Sequence, residues 1–462
     1  MELAGIILAA GKGTRMKSDL PKCLHEAGGL PMVKLVIRAM RKAGIQRIIV
    51  VIGHGADQMQ KSLEGENCEF AFQTEQLGTG HAVLMTADLM KNHYGQVIVC
   101  PGDAPLITEQ AIKLLVDEHI KENSKATIAT FKLEDPTGYG RIIRNSQNQP
   151  IGIVEQKDAG PEQRKINELN SAVYCFKSED LFRILPNLEN SNSQGEYYLT
   201  DMIATLHQEG QKLHAVCYED EMLFAGVNDR WQLAQVHKEL NQRILKSHAE
   251  SGVTIIDIDT TQISIESEIG KDTIILPGTL ILGKTKIGEK CEIGPNTMIK
   301  DCKIGNEVEI LMSHLNRMEM HNKSRCGPFA NLRPYSVIGE ESKVGNFVEI
   351  KNAILHANVS VSHLTYIGDA EIGSGSNIGA GTITCNYDGY SKHRTTIGQN
   401  VFVGSNSTLV APITLQDGSF VAAGSVITDD VSENSLAIGR SKQVEKMEWA
   451  KRWRKVNEER QA

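Results

Sequence analysis

Two stretches of this chain carry residue types at spacings that could do chemistry. In the first, Leu8-Ala9-Ala10-Gly11-Lys12-Gly13-Thr14-Arg15-Met16 grows directly out of an apolar run. Its two glycines allow the backbone close to a phosphate, and Lys12 and Arg15 bring positive charge. It is neither common phosphate loop: Met16 replaces the third glycine of G-x-G-x-x-G, and the spacing of G-x-x-x-x-G-K-[ST] is absent. In the second stretch Glu349 and Lys351 flank Ile350, so on a strand both side chains leave the same side. His363 and Tyr366 follow shortly after, and an imidazole titrates in the range useful for a general base.

These residues need elements to position them. Residues 1–228 read as alternating strands and helices: apolar strands at Gly5–Ala9, Ile48–Ile52 and Val97–Cys100, with a helical stretch from Val33 to Ala43. Continuous apolar strands separated by helices argue for a parallel sheet covered on both faces, with its ligand site beyond the carboxyl ends of the strands. Residues 229–249 lose Gly and Pro and read as a linking helix, with Trp231, Leu233, Val236, Leu240 and Ile244 as its apolar positions. From residue 250 to 462 the pattern changes to a period of six. Aliphatic residues recur at Ile263, Ile269, Ile275, Ile281, Ile287, Ile293 and Ile299, and again at Ile397, Val403, Leu409, Leu415, Val421 and Ile427. Neither a helix nor a flat strand has that period, whereas a coil of three short strands does. Two interruptions, Met312–Pro334 and Cys385–Arg394, are expected to emerge as loops on a binding face. The chain ends in a basic arm with Lys442, Lys446, Lys451, Arg452, Arg454 and Lys455, suited to an anionic ligand or a neighbouring subunit.

Composition narrows the function. The 462 residues suffice for two domains, and the formal charge of -8 disfavours a nucleic-acid partner. Nine scattered cysteines without a C-x-x-C pair suit a reducing cytoplasm. The start carries no basic leader region, and no apolar run reaches the ~20 residues of a membrane span. A cytoplasmic location is therefore expected.

The six-residue repeat resembles the left-handed hexapeptide acyltransferases. L-A-A-G-x-G-T-R-M followed by Pro21-Lys22 resembles the nucleoside-diphosphate-sugar pyrophosphorylases. That second resemblance extends in order along the chain. Gln73 and Leu77-Gly78-Thr79-Gly80-His81-Ala82 look like the family's base-reading and sugar-side loop. Gly102-Asp103 looks like its metal-binding acid. Gly138-Tyr139-Gly140-Arg141-Ile142, Glu155, Asn170 and Gly226-Val227-Asn228 look like its sugar pocket and second metal ligand. The resemblance implies that Leu8, Ala9, Ala10, Gly11, Lys22, Gln73, Gly78, Thr79, Gly102, Asp103, Gly140, Glu155, Asn170 and Asn228 bind UTP and the sugar nucleotide. It also implies that Asp103 and Asn228 hold Mg²⁺, and that Arg15 and Lys22 screen the phosphates during catalysis.

Taken whole, the chain resembles the bacterial enzymes that join an N-acetylglucosamine-1-phosphate uridyltransferase to a glucosamine-1-phosphate acetyltransferase. The implied fold is α/β: a Rossmann-like nucleotidyltransferase domain with a mixed, mostly parallel sheet, a linking helix, and a left-handed parallel β-helix of hexapeptide repeats. His363 matches the general base, with Glu349 expected to orient its imidazole. Arg333, Lys351, Tyr366 and Asn377 match the sugar-phosphate site, joined by Lys392. Asn386, Tyr387, Ala380, Ser405, Ala423 and Arg440 match the acetyl-CoA groove. The implied substrates are glucosamine-1-phosphate, acetyl-CoA, UTP and N-acetylglucosamine-1-phosphate, the implied assembly is a homotrimer, and the product feeds peptidoglycan and lipopolysaccharide synthesis. The alternatives are a single-activity pyrophosphorylase whose β-helix is structural or regulatory, and a binding scaffold without turnover.

Overall fold

The computed structural model describes residues 2–461. They fall into two compact units, one ending at Arg243 and one beginning at Ile244. The helix Arg230–Glu250 spans the change of unit and lies where the sequence reads a linking helix.

The first unit is built on a nine-stranded sheet: β1 Leu3–Leu8, β2 Arg47–Ile52, β3 Glu69–Phe72, β4 Gln96–Pro101, β5 Ala126–Lys132, β6 Arg141–Arg144, β7 Pro150–Val154, β8 Glu168–Lys177 and β9 Leu213–Tyr218. Its order is β9-β5-β8-β4-β1-β2-β3, with β6 pairing both β8 and β7. Strands β3, β2, β1 and β4 run parallel, and β8 runs against both β4 and β5, which makes the sheet mixed. Alternation along the strands divides the core in two. Ile7, Ile48, Val50, Ile98 and Cys100 pack on one face; Ile6, Ile49, Val51, Val97 and Val99 pack on the other.

The second unit is a coil of two- to four-residue strands stacked into three parallel sheets of eleven, ten and nine strands. This is the architecture of a left-handed hexapeptide β-helix. Ile275, Ile293, Ile310, Cys326, Val344, Val361, Ile378, Val403 and Val421 stack in register on one face and are buried. The other two faces carry equivalent columns, so the interior is a continuous aliphatic ladder. A second column accompanies it. Two residues before many inward positions stands a small polar residue, such as Thr279 or Thr285, buried with its hydroxyl bonded to a corner carbonyl.

The two expected interruptions differ. Met312–Pro334 is not a loop: strands His314–Asn316, Glu319–Met320, Arg325–Cys326 and Asn331–Leu332 continue the stack and bury Leu315, Met320, Cys326 and Leu332. The turn from Ile293 to Ile310 and then to Cys326 drops one and then two residues from the 18 between Ile275 and Ile293. The five-residue steps turn at left-handed Met312 (φ 41°) and Arg317 (φ 47°), the same kind of corner that full-length steps use at Lys290 (φ 56°). The sixfold count slips while the stack does not. The second interruption is a true insertion, because Ile378 stacks on Val403, 25 residues on, and Cys385–Arg394 leaves the coil.

Ile350 is fully buried in the ladder. Ile350→Ala should lower the stability of the second unit by about 2–5 kcal/mol, seen as a shifted denaturant midpoint at unchanged slope.

Candidate active sites

Parallel pairing gathers the first site. Gly102 N–H donates to Leu8 O, Ala9 N–H to Val51 O and Gln73 N–H to Ile52 O, all at 2.8–2.9 Å. The loop after β1, Gly102-Asp103 after β4 and Gln73 after β3 therefore share the carboxyl edge of the sheet. Gly13 is left-handed (φ 59°), and a Cβ there would stand 2.6 Å from Lys22 Cβ. The glycine thus clears the path of Lys22, whose ammonium pairs with the Asp103 carboxylate and lies 3.4 Å from Asn228 Oδ1. Arg15 Nη2 donates to the same Asn228 oxygen at 2.8 Å. The Asn228 segment is itself tied down: Val227 N–H donates to Asp103 O at 3.0 Å and Asn228 N–H to Gln232 Oε1 at 2.7 Å. Burial, followed by the nearby Asp103 charge, pushes the Cys23 thiol up to about 12, so it is no nucleophile.

Beside this cluster, Gln73 is buried and donates from Nε2 to Gly78 O at 3.0 Å, with His81 Nδ1 3.1 Å away. Gly78 (φ 110°) admits no side chain, since a Cβ would meet Tyr197 O at 2.5 Å. Thr79 Oγ1 accepts from Leu199 N–H at 3.0 Å. Gly140, Glu155 and Asn170 also converge: a Cβ on Gly140 would touch both Glu155 Oε2 and Asn170 Cβ at 3.4 Å. A bulge between Asn170 and Tyr174 sets the Asn170 amide against the buried Tyr174 hydroxyl, 2.8 Å from Nδ2 and 3.0 Å from Oδ1. Glu155 borders a cleft of about 490 Å³ that also includes Asp158, Tyr198 and Asp201. Burial, reinforced by Asp158 and Asp201, raises the Glu155 carboxyl above its ordinary value.

The second unit presents two groups. On the face carrying Ile350, Glu349 pairs with Tyr366 in register, and Arg333 follows the strand Asn331–Leu332 one coil earlier. Lys392, on the insertion, approaches Lys351; that contact and its like charge, with Arg333 beyond, hold the Lys351 ammonium below its ordinary value. Buried Asn386 donates to Asp369 Oδ2. The other group lies at a corner. Residues two beyond stacked Val361, Ile378, Val403 and Val421 are His363, Ala380, Ser405 and Ala423, one per coil. His363, Ser405 and Ala423 are exposed, and Arg440 Cδ lies 3.9 Å from where a Cβ on Gly424 would stand. His363 Nδ1 donates to Asn346 Oδ1 at 2.5 Å, which leaves Nε2 as the basic nitrogen.

The two halves match separate family models. Residues 4–232 match the nucleotidyl transferase model. Residues 266–301 match the bacterial transferase hexapeptide model, and 394–429 the hexapeptide repeat of succinyl-transferase. Over nearly its whole length the chain is similar to the bifunctional protein GlmU of several bacteria. It is 48% identical over 447 residues to that of Geobacillus sp. strain WCH70, covering 97% of each chain. It is also 48% identical over 449 residues to that of Clostridium acetobutylicum, covering 97% of this chain and 98% of the relative. The chain belongs to the GlmU family of bifunctional proteins.

As a member of that family it is an enzyme with a nucleotidyltransferase part and a hexapeptide transferase part. The nucleotidyltransferase family implies a divalent metal. The residues fit one: the Asp103 carboxylate and the Asn228 amide oxygen, both hard oxygen donors, already converge on a single cation, the Lys22 ammonium. Among the described residues no group of three or more His, Cys, Asp and Glu side chains could hold a metal, so substrate oxygens would complete the shell. No helix among them is long and apolar enough to cross a membrane.

Of the residues expected, those around Lys22 and Asp103 share one edge of the sheet, and His363, Ala380, Ser405 and Ala423 share one corner. Asn386 and Tyr387 lie on the insertion instead, and two others are placed differently. Within the chain Glu349 does not meet the imidazole: its carboxylate accepts from Arg333 Nη1 at 2.8 Å, and Asn346 holds the ring. The reason is register, since Asn346 lies directly beside His363 in the stack while Glu349 faces Tyr366 on the next sheet. Asn377 stands on the sheet that carries Val361, one face away from Arg333, Lys351 and Tyr366. Sequence reasoning also missed Asp369, Tyr174 and Gln232. Asn346 was findable, because it precedes His363 by one coil.

Two outcomes follow from this geometry. Histidine-selective NMR should show the neutral His363 ring protonated at Nδ1, and Asn346→Leu should mix the tautomers. Glu155 has a raised folded-state value, so its ionisation weakens the fold as pH rises. Glu155→Gln should therefore stabilise the first unit at neutral pH, a gain that fades as pH falls toward the ordinary 4.5, measured by thermal unfolding.

Proposed function

We propose that the hexapeptide domain acetylates glucosamine-1-phosphate with acetyl-CoA, and that the N-terminal domain joins the resulting N-acetylglucosamine-1-phosphate to UTP, releasing pyrophosphate. The division of labour follows the sequence boundaries: uridylyl transfer on 1–228, a linking helix at 229–249, acetyl transfer on 250–462. The observation that carries the acetyl half is the corner column. Coils repeat every ~4.8 Å, so His363, Ala380, Ser405 and Ala423 mark a straight path of about 14 Å, long enough for the pantetheine arm of acetyl-CoA. Small residues along it leave room for the arm, and Arg440 stands at its far end for a phosphate. His363 Nε2 takes a proton from the sugar amine as nitrogen bonds to the thioester carbon. The C–S bond then breaks and the proton passes to the departing CoA thiolate. Arg333, Lys351 and Lys392 hold the sugar phosphate.

In the other half a phosphate oxygen of the sugar attacks the α-phosphorus of UTP and pyrophosphate leaves. Positioning and charge neutralisation dominate such a transfer, and little proton movement is needed. Arg15 and Lys22 neutralise the phosphates, Gln73 reads the base, and Gly140, Glu155 and Asn170 hold the sugar. Mg²⁺ suits the oxygen donors of Asp103 and Asn228 and would screen the triphosphate when bound. The homotrimer that the resemblance implies would cover the open His363 column with a neighbouring prism. Nine cysteines, all free, support the cytoplasm as the compartment.

Asp103→Asn should slow pyrophosphate release by at least ~10²-fold and leave CoA release unchanged. His363→Ala should do the reverse, by a similar factor. CoA release that survives His363→Ala would overturn the acetyl half; full uridylyl transfer by Asp103→Asn would overturn the metal assignment. Sedimentation tests the trimer.

A further inference from the structure

The insertion Cys385–Arg394 carries three residues of the proposed acetyl-transfer site, Asn386, Tyr387 and Lys392, yet has almost no core of its own. Only Asn386 is buried in it, while Tyr390 is 96% exposed. What orders the segment is one carboxylate. Asp388 Oδ1 accepts from Tyr390 N–H at 2.8 Å and Ser391 N–H at 2.7 Å, and Asp388 Oδ2 accepts from His393 Nε2 at 2.8 Å. His393 N–H returns to Asn386 O at 2.8 Å, and Tyr387 bridges Lys392 across the resulting hairpin. The Ser391 N–H, His393 and the Tyr390 N–H hold the Asp388 carboxyl well below the usual range, so it stays ionised.

This clasp works against a repulsion. The hairpin carries Lys392 into a cleft of about 250 Å³ with Tyr335, Asn352 and Asp369, and there its charge, with that of Arg333, acts on Lys351 while Asp369 compensates. Two ammonium groups meet only if the backbone between them is fixed, because an unrestrained lysine would swing into water. We propose that Asp388 and His393 are a positioning pair that holds Lys392 against Lys351 before substrate arrives, so that the sugar phosphate meets a preformed cation cradle. The hydrogen bonds of the pair stay within the hairpin, and it acts through that hairpin. The inference rests on the reading of Lys351 and Lys392 as the phosphate site.

The test uses the full-length chain, in which uridylyl transfer serves as the internal control for folding. His393→Ala and Asp388→Ala are each assayed for CoA release over a range of glucosamine-1-phosphate, and for pyrophosphate release from UTP and N-acetylglucosamine-1-phosphate. Glucosamine-1-phosphate binding is followed by calorimetry. Each variant should raise KM and Kd for glucosamine-1-phosphate about tenfold, as for loss of one charge-assisted contact, with kcat within about threefold. Pyrophosphate release should stay unchanged, and His393→Gln, which keeps an N–H donor, should recover most of the lost affinity. Unchanged KM and Kd in both alanine variants would overturn the proposal. So would a fall in kcat at constant KM, or an equal loss in pyrophosphate release, which would mark general unfolding. Failure of the unaltered chain to release CoA would instead refute the acetyl-transfer reading beneath it.

Discussion

Parallel strand pairing is the constraint on which both sites depend. In a parallel ladder all carboxyl ends emerge at one edge, and equivalent residues of successive strands stand side by side at a fixed ~4.8 Å. The first unit exploits the edge: β1, β3 and β4 deliver Leu8–Ala10, Gln73 and Gly102-Asp103 to one place although they are far apart in sequence. The second unit exploits the spacing. Four coils in register convert single residues into a column from His363 to Ala423. No loop has to be ordered to build that path, because the backbone hydrogen bonds that make the prism also make the column.

Both sites also hold like charges together ahead of any ligand. Arg15 and Lys22 share one amide oxygen on Asn228, and Lys22 reaches Asp103 as well. Lys351 and Lys392 meet with Arg333 close by and Asp369 as counterion. Such clusters cost stability in the free protein, and the cost is offset when an anion enters, since cations already at fixed positions need no reorganisation. Glycine does part of the positioning. Gly13 opens the path of Lys22, and Gly78 lets its loop lie against the Tyr197 carbonyl.

Much of this was legible in the residues. The six-residue rhythm gave the three-faced coil, and apolar runs gave the strands whose ends hold the first site. The motif residues around Lys22 and Asp103 were named in order, and the structure brings them together. What could not be read was phase. Between Ile293 and Val344 the coil shortens by one residue and then by two, so a count of six fails while the stack continues. The same loss of phase hid Asn346 as the neighbour of His363 and made Glu349, closer to the eye in sequence, look like its partner. Tyr174 was invisible for another reason: only the bulge after Asn170 turns the amide toward its hydroxyl.

The two interruptions of the repeat show how a solenoid gains function. Deleting a residue at a corner leaves the stack intact and adds no new surface. Inserting seven residues cannot be absorbed in that way, so Cys385–Arg394 must leave the coil and find its own order. Short of apolar residues to bury, it closes on a carboxylate instead, and the cation it carries lands on the neighbouring coil beside Lys351. A regular prism offers only flat faces and straight corners. One polar hairpin turns such a face into the wall of a cleft, lined by Tyr335, Asn352, Asp369 and Lys392.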